Sequence, residues 1–504
     1  MTRKPFSRPL ALAAALLLAA CASVTNPVTG ERELSVMDEQ AEIAEGKKAH
    51  AQVLQEYGVV QDARLQAYVN DLGQRLAKQS HRANLQWTFT VLDSPEINAF
   101  ALPGGYVYVT RGIMAYMESE ADLAGVMGHE IGHVTARHGA QRATRQQTAG
   151  LGVLAASVLG AVAEAYGFGG AGDLASQASQ AVAAGYIAKY SREQELQADQ
   201  LGAEYLARNS YDPKNMVDVI EVLKRQEQFA ADAARAEGKQ PRQGGDWLAS
   251  HPSNEQRLAQ IRQTAANYVG KSPAGGYAED GRARYLQAID GLVFGDSREQ
   301  GVVRGRGFYH EPLGIAMTAP QGWKIQNASD AITLVNAASD AGLVVKTVPD
   351  KAGSTHEEIL RNVFKPTAGR VEKRELNGLS ATHFVGQRQN AQGQRQAVTA
   401  TVVTGPQKQN YVMLYAARNE QALARAMPQL EEAEKSFRAL SAADRQAARP
   451  WKLNVAPFPR GGFAELAKRS PLPPESAERQ LQLINGVYGG TAAPQVGQSV
   501  KVVE

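Results

Sequence analysis

The stretch that most constrains this chain is Gly128-His129-Glu130-Ile131-Gly132-His133, an H-E-x-x-H pattern. Residues four apart on a helix share a face, so the imidazoles of His129 and His133 can reach one metal ion together. Glu130 lies three residues before His133, close enough to touch a water on that ion. The flanking residues support a helix. Ser119 with Asp122 makes a capping pair, and Leu123, Val126, Met127, Ile131 and Val134 form an apolar stripe at helical spacing.

A second helical stretch runs from Ser191 to Gly202 and carries Glu195 and Asp199 one turn apart. Alone, such a pair reads as the solvated face of a charged helix. Beside H-E-x-x-H it acquires a chemical use. A catalytic zinc takes three protein ligands and leaves a position for water. His129, His133 and Glu195 are the candidate ligands for one zinc ion per chain, with Glu130 as the catalytic base. Asp199 is placed to accept the free ring N–H of a ligand histidine and fix its tautomer.

Here the chain resembles a known family. His129 to His133 with Glu195-x-x-Ala198-Asp199 looks like the gluzincin metallopeptidases related to HtpX, BepA and the CAAX prenyl protease, peptidase family M48. Asn98 to Val109 resembles the strand-turn-strand before the active-site helix, and Asn26-Pro27-Val28-Thr29-Gly30 is similar to the start of the mature chain in the bacterial branch. The resemblance covers residues 25–270 and implies a mostly helical zincin-type metalloprotease domain with a small sheet. Arg137 and His138 resemble the continuation of the active-site helix, where packing or local hydrogen bonding is expected of His138. Ser250-His251-Pro252 resembles the His-Pro segment of BepA-like proteins, in which the histidine can take the fourth zinc position and silence the enzyme. Without the resemblance, His251 is a locally bonded histidine or a transition-state donor lining the cleft. A loop histidine ahead of a helix can move without unfolding that helix, whereas His129 and His133 cannot.

A chain of 504 residues exceeds one ordinary core, so several domains are expected. With 43% hydrophobic and 21% charged residues it is globular, and a net charge of +3 gives no reason to expect nucleic acid. Arg3, Lys4 and Arg8 precede an apolar run, Leu10 to Ala20, too short to span a bilayer. Leu18-Ala19-Ala20-Cys21 then resembles a bacterial lipobox. Residues 1–20 are thus expected to be a lipoprotein signal peptide, Cys21 the lipidated residue, and the periplasmic face of the outer membrane the location. An incidental thiol after an ordinary signal peptide is the alternative. Cys21 is the sole cysteine, so no disulfide forms within the chain.

The sequence supports an α+β protein in pieces. Helices are expected over 37–57 and 61–79, with a break at Gly58, and strands over 85–92, 97–101 and 106–110. An exposed strand edge at Asn98 and Ala99 could take a substrate peptide by strand addition, or the hairpin is purely structural. His50 and His81 are expected on the surface of charged helices. Small apolar residues within 141–190 suggest two helices, which could serve as packing helices, a lid, a membrane-facing surface or an oligomer contact. Ser253 with Gln256 makes another capping box.

The zinc metalloprotease domain then occupies 21–270, with a linker at 271–306. An α+β accessory domain follows at 307–440, with strands over 314–318, 331–335, 342–347, 378–386, 397–403 and 410–416 and helices over 355–364 and 420–439. His310, His356 and His383 there lack ligand spacing, and no tetratricopeptide-like repeat occurs. Residues 445–504 read strand, helix, helix, strand and are similar to a LysM module, which implies peptidoglycan as a partner; a structural cap is the alternative. The expected function is a zinc-dependent metalloendopeptidase of the bacterial cell envelope acting on misfolded or misassembled envelope proteins. The rival is a periplasmic chaperone or assembly factor for outer-membrane proteins with secondary proteolysis.

Overall fold

The computed structural model describes residues 22–145, 190–236, 238, 251, 255–268, 276–328, 331–389, 395–490 and 492–504. The signal peptide, Cys21, the two helices expected within 141–190 beyond residue 145, the Ser253–Gln256 cap and the start of the 271–306 linker, residues 271–275, lie outside the described residues. The chain forms two compact units, Met1–Leu292 with Lys452–Glu504, and Val293–Trp451. Two expected boundaries change accordingly. The 445–504 segment divides near Lys452 and its larger part folds with the first unit, and the 271–306 stretch contributes a helix to the first unit and strands to the second.

In the first unit, β1 (Ala22–Thr25) and β2 (Arg32–Ser35) form an antiparallel hairpin. Its turn explains the Asn-Pro-Val-Thr-Gly sequence. Asn26 Oδ1 accepts the N–H groups of Val28 at 2.9 Å and Thr29 at 3.3 Å, and Gly30 takes φ 73°, which a side chain would strain. The buried Asn26 amide also donates to Ala136 O at 3.4 Å, which docks the hairpin at the end of the H-E-x-x-H helix.

Asp38 and Asp62 then cap α1 (Glu39–Tyr57) and α2 (Ala63–Lys78), so each helix starts two residues later than expected. Gly58 ends α1 at φ 69°. Strands β3 (Thr88–Leu92), β4 (Ala99–Leu102) and β5 (Tyr106–Thr110) make a sheet of order β3-β5-β4, with β3 parallel and β4 antiparallel to β5. β4 is an edge strand, yet Asn98 and Ala99 are buried, which departs from the exposed edge expected there. Two short elements lead to the site: α3 (Arg111–Tyr116) and α4 (Glu120–Thr135). β4 packs on α4.

Ser119 and Asp122 cap α4 reciprocally, as their spacing predicts. The apolar stripe proves incomplete as a description of α4, because every one of its residues is buried. It is a central helix, packed against α2, β4 and two further helices, α5 (Arg192–Arg208) and α6 (Asn215–Ala236). Arg137, at φ 58°, follows its end. The unit continues with α7 (Glu255–Ala266) and α8 (Arg282–Ile289). His50 and His81 are half-buried, not surface residues. His50 Nδ1 lies 2.6 Å from Tyr108 Oη, and His81 Nδ1, in the turn after α2, lies 2.8 Å from Tyr205 Oη.

The C-terminal part of this unit runs strand Trp451–Pro457, helices Gly462–Arg469 and Ala477–Ile484, and strand Ser499–Val503, the two strands pairing antiparallel. It grips the chain just ahead of α4. Lys501 is fully buried, and its Nζ donates to Met117 O at 2.7 Å and Ala115 O at 3.1 Å while facing Glu118 Oε1 at 2.7 Å. Burial lowers the Lys501 ammonium from the usual lysine range, against the pull of Glu118. Gln480 Nε2 donates to Tyr116 Oη at 3.0 Å.

The second unit is built on a seven-stranded antiparallel sheet. Its order is Lys324–Ala328, Ala331–Val335, Ala341–Thr347, Asn410–Ala417, Arg395–Thr404, Leu379–Gln389 and Pro366–Leu376. Helix Glu420–Lys435 covers one face over Leu343, Met413 and Tyr415, and helix His356–Phe364 the other over Phe384 and Val402. His356 and His383 hold threonine hydroxyls, Thr382 at 2.9 Å and Thr401 at 2.8 Å.

Candidate metal centre

Helices α4 and α5 approach so closely because small residues face each other. A Cβ on Gly132 would sit 3.0 Å from Ala198 O, one on Gly128 3.4 Å from Gly202 Cα, and one on Gly202 3.1 Å from His129 N. The two glycines of G-H-E-I-G-H, with Ala198 and Gly202, therefore set the distance at which the histidines of one helix meet the carboxylates of the other.

At that distance the donor atoms of His129, His133, Glu195 and His251 converge, all within 4.8 Å of one another and all buried. His129 Nε2 is 3.0 Å from His133 Nε2 and 3.6 Å from Glu195 Oε2, and His133 Nε2 is 3.5 Å from Glu195 Oε1. His251 Nδ1 lies 3.2 Å from His129 Nε2 and 3.0 Å from Glu195 Oε1. Zinc bonds of about 2.0–2.2 Å place tetrahedral donors about 3.3–3.6 Å apart. The histidine–Glu195 spacings of 3.5 and 3.6 Å fall in that range and the others, at 3.0–3.2 Å, lie a few tenths below it, so three imidazoles and a carboxylate fit zinc in chemistry and closely in size. Glu130 is fully buried beside them, with its Oε1 3.5 Å from His251 Nε2.

A surrounding layer turns the right nitrogens inward. His129 Nδ1–H donates to Asp199 Oδ1 at 2.9 Å, leaving the Nε2 lone pair for the centre. His138 Nε2 faces Gln197 Oε1 at 2.9 Å, and His138 Nδ1 faces His133 Nδ1 at 2.9 Å. With the Gln197 oxygen as acceptor, His138 donates through Nε2 and accepts through Nδ1. His133 then donates from Nδ1 and also presents a bare Nε2. His138 thus orients His133 from behind. Burial and the neighbouring histidines hold His133 well below the usual imidazole range, and burial lowers His138 to about 4, so both favour the neutral form a metal needs.

Two residues had no signal in the sequence. Arg257, on α7, donates Nε to Asp199 Oδ2 and Nη2 to Asp199 Oδ1, both at 2.7 Å. Burial alone would raise Asp199, but the charge and bonds of Arg257 prevail and hold it at about 2. Tyr190 stacks on His133 with ring centroids 3.8 Å apart and planes 18° from parallel. Neither residue sits at a fixed offset from the H-E-x-x-H motif, and only the fold brings them to it.

Residues 63–265 match the model of peptidase family M48. Within that M48 region lie the H-E-x-x-H helix, Glu195, Asp199, His251 and Arg257. The beta-barrel assembly-enhancing protease of Escherichia coli is 32% identical over 207 residues, 41% of this chain and 40% of that protein. That of Yersinia pestis is 29% identical over 260 residues, 48% of this chain and 50% of that protein. The mitochondrial metalloendopeptidase OMA1 of Arabidopsis thaliana is 32% identical over 187 residues, 37% of this chain and 33% of that protein. The chain therefore spans half or less of the length of these relatives. Among the described residues, no helix is long and apolar enough to cross a membrane.

Proposed function

We propose that this chain is a zinc metalloendopeptidase of the bacterial cell envelope that cleaves misfolded or misassembled envelope proteins. The observation that carries the reading is the convergence of His129, His133 and Glu195 beside the buried Glu130. Zinc held by these three residues would polarise a scissile carbonyl and bring the pKa of water toward about 7. Glu130 takes the proton of the attacking water on its carboxylate and delivers it to the leaving amine. Asp199 and His138 keep the two imidazoles in the tautomers that face inward. The lipobox-like sequence supports an anchor at Cys21 in the outer membrane, and the names of the bacterial relatives support envelope substrates. The test is enrichment of new N-termini from cells carrying the active protein or its Glu130→Gln variant; identical cleavage products from the two would defeat the reading.

His251 modifies this picture. Its Nδ1 stands among the other donors, and four protein donors leave no position for water. We read it as a plug that must withdraw before catalysis. His251→Ala is then expected to raise basal peptide cleavage by roughly tenfold or more, the reciprocal of the open fraction. If His251 instead donates to the transition state, the same change lowers turnover by about 10²–10³-fold while zinc content stays intact.

A second reading has its own support. Among the described residues the metal-ligand group lies in the first unit alone, which leaves Val293–Trp451 for binding clients. An assembly factor with secondary proteolysis predicts that Glu130→Gln fully rescues envelope defects. The strand-helix-helix-strand order of the C-terminal segment supports a LysM-like glycan role. The full-length Glu130→Gln protein is expected to pellet with purified cell-wall sacculi, and its retention in the supernatant would remove that role.

A further inference from the structure

Arg257 reaches three parts of the site at once. Two of its nitrogens clasp both oxygens of Asp199, the geometry in which a guanidinium binds a carboxylate most specifically. Its Nη1 lies 3.0 Å from Glu195 Oε2 and also donates to the backbone carbonyl of His251 at 3.1 Å. Arg257 is itself buried, on the helix that follows the His251 loop six residues later.

These contacts differ in what they can survive. The clasp on Asp199 joins two helices and fixes the His129 ring through the Asp199 Oδ1 bond. The contact to the His251 carbonyl is a hydrogen bond from Nη1, a nitrogen the Asp199 clasp does not use. It can open while the Asp199 clasp stays closed, because the two use different nitrogens. We propose that Arg257 is a positioning residue that latches His251 into the fourth ligand position through its backbone, while keeping Asp199 and Glu195 set for zinc. The inference rests on the plug reading of His251 and adds what holds the plug in place. Release of the plug then includes breaking the Nη1 bond to the His251 carbonyl along with the side-chain contacts of His251, while His129, His133 and Glu195 stay in place on α4 and α5.

Arg257→Lys separates the two jobs. A lysine keeps the positive charge beside Asp199 and Glu195 but is a point charge, which cannot clasp Asp199 and also span to His251 O. The full-length protein, its R257K and H251A variants and the double variant are each loaded with zinc. Metal content, the number of imidazoles in the zinc X-ray absorption spectrum, the thermal midpoint of the metal-free protein and basal peptide cleavage are then measured. R257K is expected to fold, to hold zinc with affinity lowered by about 10–100-fold, and to lose one imidazole from the zinc shell. Its basal cleavage should rise as in H251A, and the double variant should rise no further, since both changes act through one loop.

Three results would overturn the latch. In the first, R257K retains the same number of imidazoles as the unsubstituted protein. In the second, the R257K and H251A effects on cleavage multiply. In the third, R257K neither folds nor binds zinc, which makes Arg257 a core ion pair. The plug reading fails separately, through H251A alone: if that variant keeps the full imidazole count of the unsubstituted protein, His251 is not a ligand, whatever R257K does.

Discussion

Glu130→Gln is expected to keep fold and zinc and to lose peptide hydrolysis by about 10²–10⁴-fold, the contribution of a positioned general base. The substitution is nearly isosteric, so the close contact of α4 with α5 has no reason to change. What changes is basicity. A carboxylate accepts a proton from water near neutral pH, and an amide does not. Glu130 is not among the converging ligand atoms, so zinc content should match the unsubstituted protein by elemental analysis, and the thermal midpoint should stay close. A Gln variant that cleaves at the normal rate would remove Glu130 from the mechanism. A variant that loses zinc along with activity would mean that Glu130 belongs to the ligand set.

Lys501→Met should destabilise the zinc-loaded protein by about 3 kcal/mol, near the lower end of what breaking a buried pair costs. Methionine preserves much of the apolar stem, so packing changes little. The lost ammonium leaves two carbonyls, Met117 O and Ala115 O, without this donor, and takes the positive charge from Glu118. Glu118 keeps 23% of its side chain exposed, which tempers the loss. The measurement is the denaturant midpoint of the full chain. A shift below about 0.5 kcal/mol, the range of an ordinary surface substitution, would show that the C-terminal strand merely rests on the segment ahead of α4.

The residues of the candidate site were legible in the sequence where they share a helix. His129 and His133, and Glu195 and Asp199, are each one turn apart, and that spacing can be read without knowing how the chain folds. Ser119 with Asp122 is equally local. His251 was legible only through its resemblance to a known segment. Arg257 and Tyr190 were not legible, since an arginine or tyrosine in a helix or loop has many commoner uses than touching a histidine far away in the chain. The same limit applies to the fold. Strand Pro366–Leu376 was missed because it is a sheet edge carrying Arg370, Glu372, Lys373, Arg374 and Glu375, nearly all exposed, with no apolar alternation to mark it. Lys324–Ala328 escaped for a similar reason, as the other edge of that sheet. The strands and helices of the C-terminal segment could be read from their own periodicity, but their partner could not.

The grip of Lys501 has a consequence in time. Its carbonyl partner Met117 precedes it by 384 residues. A chain that emerges from its N-terminus at about 5–20 residues per second presents the H-E-x-x-H helix roughly 20–80 s before the lysine that braces its approach. During that interval Met117 O and Ala115 O, just ahead of α4, lack the Lys501 donor. The contacts of Lys501 with Met117 O and Ala115 O are thus late to form in a growing chain, because they join residues so far apart in sequence.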